Sequence, residues 1–206
     1  TGVQLLNKEK CCGVPLIANW LTDKARRQAQ SNVTSLREAI VEKGIPVLAT
    51  SSTCTFTLRD EYPHLLDVDN TGLREHIELA TRFLWRKLDS GQTLPLGKLP
   101  LKVVYHTPCH MEKMGWSLYT LELLRLIPGL ELTVLDSRCC GIAGTYGFKR
   151  ENYETSQAIG APLFRQIEES GADIVVTDCE TCKWQIEMST SKRCEHPITL
   201  LAKALG

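Results

Sequence analysis

Three cysteines of this chain recur at one fixed shift. Cys11 and Cys12 match Cys139 and Cys140 at an offset of 128, and Cys54 matches Cys182 at the same 128. The neighbouring words agree: "KCCGVPL" echoes "RCCGIAG", and "IPVLATSSTCTFT" echoes "ADIVVTDCETCKW". Self-similarity at a fixed period predicts two copies of one structural unit. The copies differ in two places. Cys179 falls on Ser51, so the first copy has "SSTC" where the second has "CETC". The counterpart of Cys109 would fall before Thr1, which predicts a first unit incomplete at its N-terminus.

The second copy shows the unit most clearly. "LKVVYH" (101–106), "LELTVLD" (130–136) and "ADIVVTD" (172–178) are short apolar, β-rich runs. Between them "EKMGWSLYTLELLRLI" (112–127) has helical spacing. "ENYETSQAIGAPLFRQIEESG" (151–171) also reads as helix, with Gly160-Ala161-Pro162 expected to interrupt it and Gly171 to stop it. Helical stretches are expected to close the chain. The first copy follows the same order with "VQLLN", a long helix, "IPVLAT" and a closing helix over Asn70 to Leu88. Alternation of strand and helix predicts an α/β chain of two tandem Rossmann-like units with parallel sheets, the first truncated at its N-terminus. The Gly- and Pro-rich "DSGQTLPLGKLP" (89–100) reads as a linker, giving units over 1–97 and 98–206.

Five of the second copy's six cysteines follow a strand directly: Cys109 the first, Cys139 and Cys140 the second, Cys179 and Cys182 the third. The carboxyl ends of parallel strands share one edge, where ligands bind, so five thiols are expected at one spot. The chain carries nine cysteines and shows no charged-then-apolar signal segment. In a cytosolic, reducing setting such thiols read as metal or redox groups rather than disulfides. A structural zinc takes four ligands, leaving one sulfur over, whereas all-thiolate coordination suits iron–sulfur clusters. Gly141 and Gly144 are expected to let the backbone pass close to a bulky group. Gly141 is expected beside the ligands, where its N–H can bond to sulfur. His106 and His110, on either side of Cys109, read as surrounding the ligands, with roles as ligands, hydrogen-bond donors to the cluster, proton carriers or local hydrogen-bonding histidines all open.

Cys11, Cys12 and Cys54 form a candidate degenerate metal site, for which a cluster, a zinc and a purely structural role stay open, since Ser51 replaces a thiol. Cys194 has no counterpart and reads as a structural thiol. Trp116 and Trp184 read as core residues, and His196 and His76 as the starts of equivalent helices. Lys and Arg balance Asp and Glu at 24 each, giving no basic excess for a nucleic-acid partner. No apolar run approaches the ~18 residues of a membrane span.

The constellation Cys109, Cys139-Cys140-Gly141 and Cys179-x-x-Cys182 resembles the cysteine-rich CCG domain family, found in the B-subunit of heterodisulfide reductase and in several membrane-associated oxidoreductases. "HTPCHMEKMGW", "SRCCGIAGTYGFK" and "DCETCKWQIEMST" are most similar to the C-subunit group of anaerobic glycerol-3-phosphate dehydrogenases. The resemblance implies a noncubane [4Fe-4S] cluster held by Cys109, Cys139, Cys140, Cys179 and Cys182. It implies a relay of electrons from flavin-bearing dehydrogenase subunits toward membrane quinone, at the cytoplasmic side of the inner membrane and without a transmembrane helix. Two alternatives stand beside it: a heterodisulfide reductase-like cluster acting on a disulfide or thiol, and a zinc-stabilised module that docks other subunits.

Overall fold

The computed structural model describes residues 2–6 and 9–206. Helices α1 (Val14–Ile17) and α2 (Thr22–Arg37) lead to strand β1 (Val47–Ala49), then α3 (Ser52–Phe56) and α4 (Tyr62–Leu66). Strand β2 (Ile77–Leu79) and α5 (Ala80–Asp89) complete the first repeat. The second repeat begins with β3 (Lys102–Tyr105), α6 (Cys109–Met114), α7 (Ser117–Arg125) and β4 (Glu131–Val134). It continues with α8 (Tyr153–Glu169), β5 (Ile174–Val176), α9 (Glu180–Ser189), β6 (Arg193–Glu195) and α10 (Pro197–Leu205).

Every strand pairing is parallel, as the alternation of elements requires. β1 pairs with β2, and the second sheet runs β4-β3-β5-β6. That order reverses direction between β3 and β5, the kind of switch point at whose carboxyl ends open α/β sheets hold ligands. The repeat is visible in the backbone: Ser51 and Cys179 both sit, extended, at the N-cap of the helix that follows their strand.

Both faces of the second sheet are covered. Val103, Tyr105 and Val176 turn toward α7 and α10 with Leu123, Leu124, Leu200 and Leu201. Val104 and Val175 turn the other way, onto α8 and α9 with Leu163, Ile167, Ile186, Cys140 and Cys182. Each fully buried Leu or Ile of this kind is worth about 1.5–3 kcal/mol. Leu84, Trp85 and Leu88 of α5 pack against the α7–α10 side, so the first repeat's last helix helps cover the second sheet. The stretch read as a linker is docked as well: Gly97 N–H donates to the Ala204 carbonyl at 2.7 Å, and Leu99 N–H to Pro128 at 2.9 Å.

Several local expectations give way to tertiary packing. α8 runs unbroken through Pro162. The ~3 kcal/mol cost of an interior proline is offset by burial of Leu163, Phe164 and Ile167 on the same helix. The helix expected over 112–127 is split at Gly115, which takes φ +68 to cap α6. The helix expected over Asn70 to Leu88 starts only at Ala80; Ile77–Leu79 instead pairs with β1. The Arg59 guanidinium holds this turn by donating to the carbonyls of Arg74 and Ile77. The closing region of the second repeat likewise contains β6, absent from the helical expectation. Residues 3–6 of "VQLLN" form no strand, and Asn7 lies outside the described residues. In the second sheet β4 is held by β3, and among the described residues the first repeat has no strand in the place of β3 for "VQLLN" to pair with.

His196 caps α10, its Nδ1 accepting from Ile198 N–H at 3.1 Å. His76 does not start a helix but ends a 3-10 turn three residues before Leu79, the N-cap of α5. Trp116 lies between the Arg59 and Arg82 guanidinium groups, 4.8 and 4.4 Å from its ring centre. Trp184 is half-exposed against Phe148 rather than in the core.

Candidate metal centre

The strand ends bring five of the second repeat's six cysteines into one connected row. The Cys109 side chain hydrogen-bonds to Cys139, and Cys139 to its neighbour Cys140. Cys140 and Cys182 lie 3.2 Å apart, Sγ to Sγ, and Cys182 in turn contacts Cys179. The row runs from exposed Cys109 to buried Cys140, Cys179 and Cys182. Each position has a backbone cause. Cys109 opens α6, Cys179 caps α9 and Cys182 sits one turn inside it. The Cys139-Cys140 pair turns at Gly141, φ +87, whose N–H donates to Cys139 Sγ at 3.3 Å.

The first repeat reproduces four positions of that row. Cys11 contacts Cys12, Cys12 contacts Cys54, and Cys54 contacts Ser51. These are the counterparts of Cys139, Cys140, Cys182 and Cys179. Gly13 N–H supports Cys11 as Gly141 supports Cys139. A hydroxyl thus holds the place of the fourth thiol.

Protons are unevenly held along the complete row. Cys139 is held far below the usual thiol range because Cys109 and then Cys140 donate to it. Cys179 is lowered to about 6, chiefly by Cys182. Cys109 is pushed well up by its bond to Cys139, and Cys140, for the same reason, to about 12. Cys182 is raised by its bonds to Cys140 and Cys179. Packed, largely buried sulfurs cannot all ionise without a counter-charge. Positive metal supplies one, and thiolate is the ligating form.

The surroundings fit that chemistry. Among the described residues, one group of side chains has metal-ligand spacing: His106, Cys140 and Cys182, all buried and within 4.8 Å of one another. His106 is 0% exposed, and neither ring nitrogen has a hydrogen-bond partner. Burial holds its imidazole down at about 4, hence neutral. A buried polar group left without a partner costs about 1–3 kcal/mol, which a metal centre would remove. The donor set of five sulfurs and one imidazole therefore suits a thiophilic metal or cluster.

His110 stands one contact away from the row. Its Nδ1 lies 3.0 Å from Thr53 Oγ1, and its ring stacks on Phe56 at 4.9 Å. Gly141 is needed for helix approach as well as for sulfur: a Cβ there would stand 2.0 Å from the Ser156 carbonyl oxygen of α8. Gly144 serves the seam between repeats, since its Cβ would press on Ala18 and Val14 of the first repeat. Cys194 is buried in β6, apart from the row, and its thiol is raised by burial.

Sequence reasoning missed two groups here. Thr53, from the first repeat, places its Oγ1 3.3 Å from Cys179 Sγ. Asp178, just before Cys179, is fully buried; Tyr105 donates to one carboxylate oxygen at 2.6 Å and Thr120 to the other at 3.1 Å. Its carbonyl accepts from Ser52 N–H at 2.8 Å. A carboxylate ending an apolar strand directly before a cysteine was the available signal.

Comparison with known proteins agrees with this geometry. The chain is 85% identical over all 206 residues to the C-subunit of anaerobic glycerol-3-phosphate dehydrogenase of Escherichia coli (strain K12), and covers 52% of that protein. It is 24% identical over 192 residues to an uncharacterized iron-sulfur protein of Methanocaldococcus jannaschii, covering 92% of this chain and 36% of the relative. It is 28% identical over 213 aligned positions to the D-subunit of the dihydromethanophenazine:CoB–CoM heterodisulfide reductase of Methanosarcina barkeri, covering 97% of this chain and 50% of the relative. The chain thus spans about half the length of the dehydrogenase C-subunits it matches. The cysteine-rich CCG domain matches twice, over residues 1–59 and 103–187, once around each copy of the Cys-Cys-Gly pair. Repeated cysteines, parallel sheets and these matches together place the chain in the cysteine-rich CCG domain family.

Proposed function

We propose that this chain is the electron-transfer portion of an anaerobic glycerol-3-phosphate dehydrogenase. It would relay electrons from flavin-bearing subunits toward membrane quinone, on the cytoplasmic side of the inner membrane. The unit over 98–206 supplies the site, with Cys109, Cys139, Cys140, Cys179 and Cys182 holding a [4Fe-4S] cluster of the noncubane kind; the unit over 1–97 buttresses it. The observation that carries this reading is the unbroken row of five thiols at the switch point of a parallel sheet. Bound there, such a cluster supplies one-electron redox chemistry. The protein's own part is to ligate, exclude water and donate hydrogen bonds that set the potential. Gly141 N–H and Thr53 Oγ1 already point at two of the sulfurs. Among the described residues no helix is long and apolar enough to cross a membrane; the proposed contact with the bilayer is a peripheral one.

Metal and sulfide analysis of the anaerobically purified full-length protein tests the reading. Cys140→Ser should lower iron by about four per chain, with matching loss of acid-labile sulfide. Zinc in place of iron, without sulfide, would favour a zinc-stabilised docking role instead.

A second reading draws on a cleft of about 330 Å³ beside Cys179, lined by Thr50, Glu180, Lys183 and His196 among others. A small disulfide could reach the buried end of the row through it. Consumption of a small disulfide by the reduced, cluster-loaded protein would support this reading, and inertness would remove it.

A further inference from the structure

His106 follows β3, and its N–H donates to the Val176 carbonyl of β5 at 2.9 Å, fixing the residue between the two strands at the switch point. The ring is fully buried, and neither nitrogen makes a hydrogen bond. Yet a ring nitrogen lies within 4.8 Å of both Cys140 Sγ and Cys182 Sγ. The three atoms are close enough to share one metal atom, while no ring nitrogen makes a hydrogen bond to either sulfur. A nitrogen and a sulfur bound tetrahedrally to one metal stand about 3.6 Å apart. A buried imidazole with nothing to bond costs stability unless something absent from the bare chain takes its lone pair.

We infer that His106 is a ligand of the metal centre, binding the metal atom shared with Cys140 and Cys182 through one ring nitrogen. The inference rests on the metal-centre reading above and adds a nitrogen to its all-sulfur set. The neutral imidazole gives its lone pair and loses no proton at that nitrogen; the other nitrogen keeps its N–H for a nearby sulfur. A neutral imidazole brings no negative charge of its own, so the metal atom it binds sits at a higher reduction potential than a further thiolate in that position would give, as in mixed histidine–cysteine clusters. His110, held by Thr53 and Phe56, has no such role.

The test uses the full-length protein labelled with nitrogen-15 histidine. After anaerobic loading with iron and sulfide, pulsed electron-spin resonance should show a directly bound nitrogen. The signal should vanish in His106→Gln and persist in His110→Gln. In the metal-free protein loaded with cadmium-113 alone, nuclear resonance should show through-bond coupling between the metal and one histidine nitrogen. His106→Gln should weaken cadmium binding at least tenfold, and His106→Cys should restore it, a rescue that loss of packing would not allow. Iron and sulfide bound with no nitrogen coupling would overturn the inference and leave the iron–sulfur reading intact. Cadmium coupled to histidine, in a protein that retains neither iron nor sulfide, would sink that reading and keep the nitrogen ligand. Unchanged cadmium affinity in His106→Gln would also overturn the inference.

Discussion

Thr53 Oγ1 lies 3.3 Å from Cys179 Sγ and 3.0 Å from His110 Nδ1. One hydroxyl from the first repeat therefore joins two residues of the second, at the buried end of the thiol row. Ser52 N–H, one residue earlier, donates to the Asp178 carbonyl, so α3 is pinned against the start of α9. The first repeat helps to hold the complete site even though its own set of thiols is incomplete.

Thr53→Val keeps the volume but removes that hydroxyl. A hydrogen bond to a charged partner contributes about 1.5–3 kcal/mol, and Cys179 is favoured as thiolate. The variant is expected to lose about 2 kcal/mol in urea unfolding of the metal-free protein, with Thr53→Ser close to wild type. A loss in Thr53→Ser, with Thr53→Val close to wild type, would show that the methyl, not the hydroxyl, matters.

Much of this site was legible in the sequence because strand ends carry the cysteines. Cys109, Cys139, Cys140, Cys179 and Cys182 each follow an apolar β-rich run, and parallel topology does the rest. β2 and β6 were not legible: each is three residues long, and "IEL" and "RCE" carry no usable alternation. Continuity of α8 through Pro162 was hidden for a different reason, since local propensity is outweighed by burial that only the assembled core supplies. Thr53 was invisible because its importance depends on how two repeats meet, which periodicity within one repeat does not encode.

Metal loading should be strongly pH-dependent. Cys139 and Cys179 are favoured as thiolates, while Cys109, Cys140 and Cys182 are held protonated by their neighbours. Cadmium held by His106, Cys140 and Cys182 must expel the protons of those two thiols, so affinity rises with pH. The logarithm of the cadmium association constant should climb with a slope of about 2 per pH unit above about pH 7. A slope near zero would mean that the row is already ionised.

Two buried groups oppose each other in the stability of the metal-free protein. Burial lowers His106 to about 4 from 6.5, so below about pH 6.5 the unfolded chain takes up a proton that the fold refuses. Stability from this residue is present above pH 6.5 and lost as pH falls toward 4. Burial raises Asp178 to about 6 from 3.8, so on acidification the fold takes up that proton first. Its contribution improves as pH falls from 6 toward 4. Each effect is about 3 kcal/mol, and the two largely cancel. Relative to wild type, Asp178→Asn should steepen the fall of the urea midpoint on acidification, and His106→Gln should lessen it. Movement in the same direction in both variants would show that these two groups do not govern the profile.

Two glycines separate backbone strain from packing. Gly44 adopts φ +65 with open space where a Cβ would go, so Gly44→Ala carries only the left-handed penalty of about 1–2 kcal/mol. Gly141 adopts φ +87, and its Cβ would stand 2.0 Å from the Ser156 carbonyl oxygen and 3.1 Å from Gly160 N. Those are backbone atoms of α8, which cannot yield by a side-chain rotation. Gly141→Ala must therefore move α8 or the loop that carries Cys139 and Cys140, and either motion opens the thiol row. It is expected to cost more than ~3 kcal/mol in urea unfolding and to lower cadmium affinity at least tenfold, whereas Gly44→Ala leaves affinity unchanged. If Gly141→Ala proved no worse than Gly44→Ala on both measurements, α8 would not be what holds the Cys-Cys turn in place.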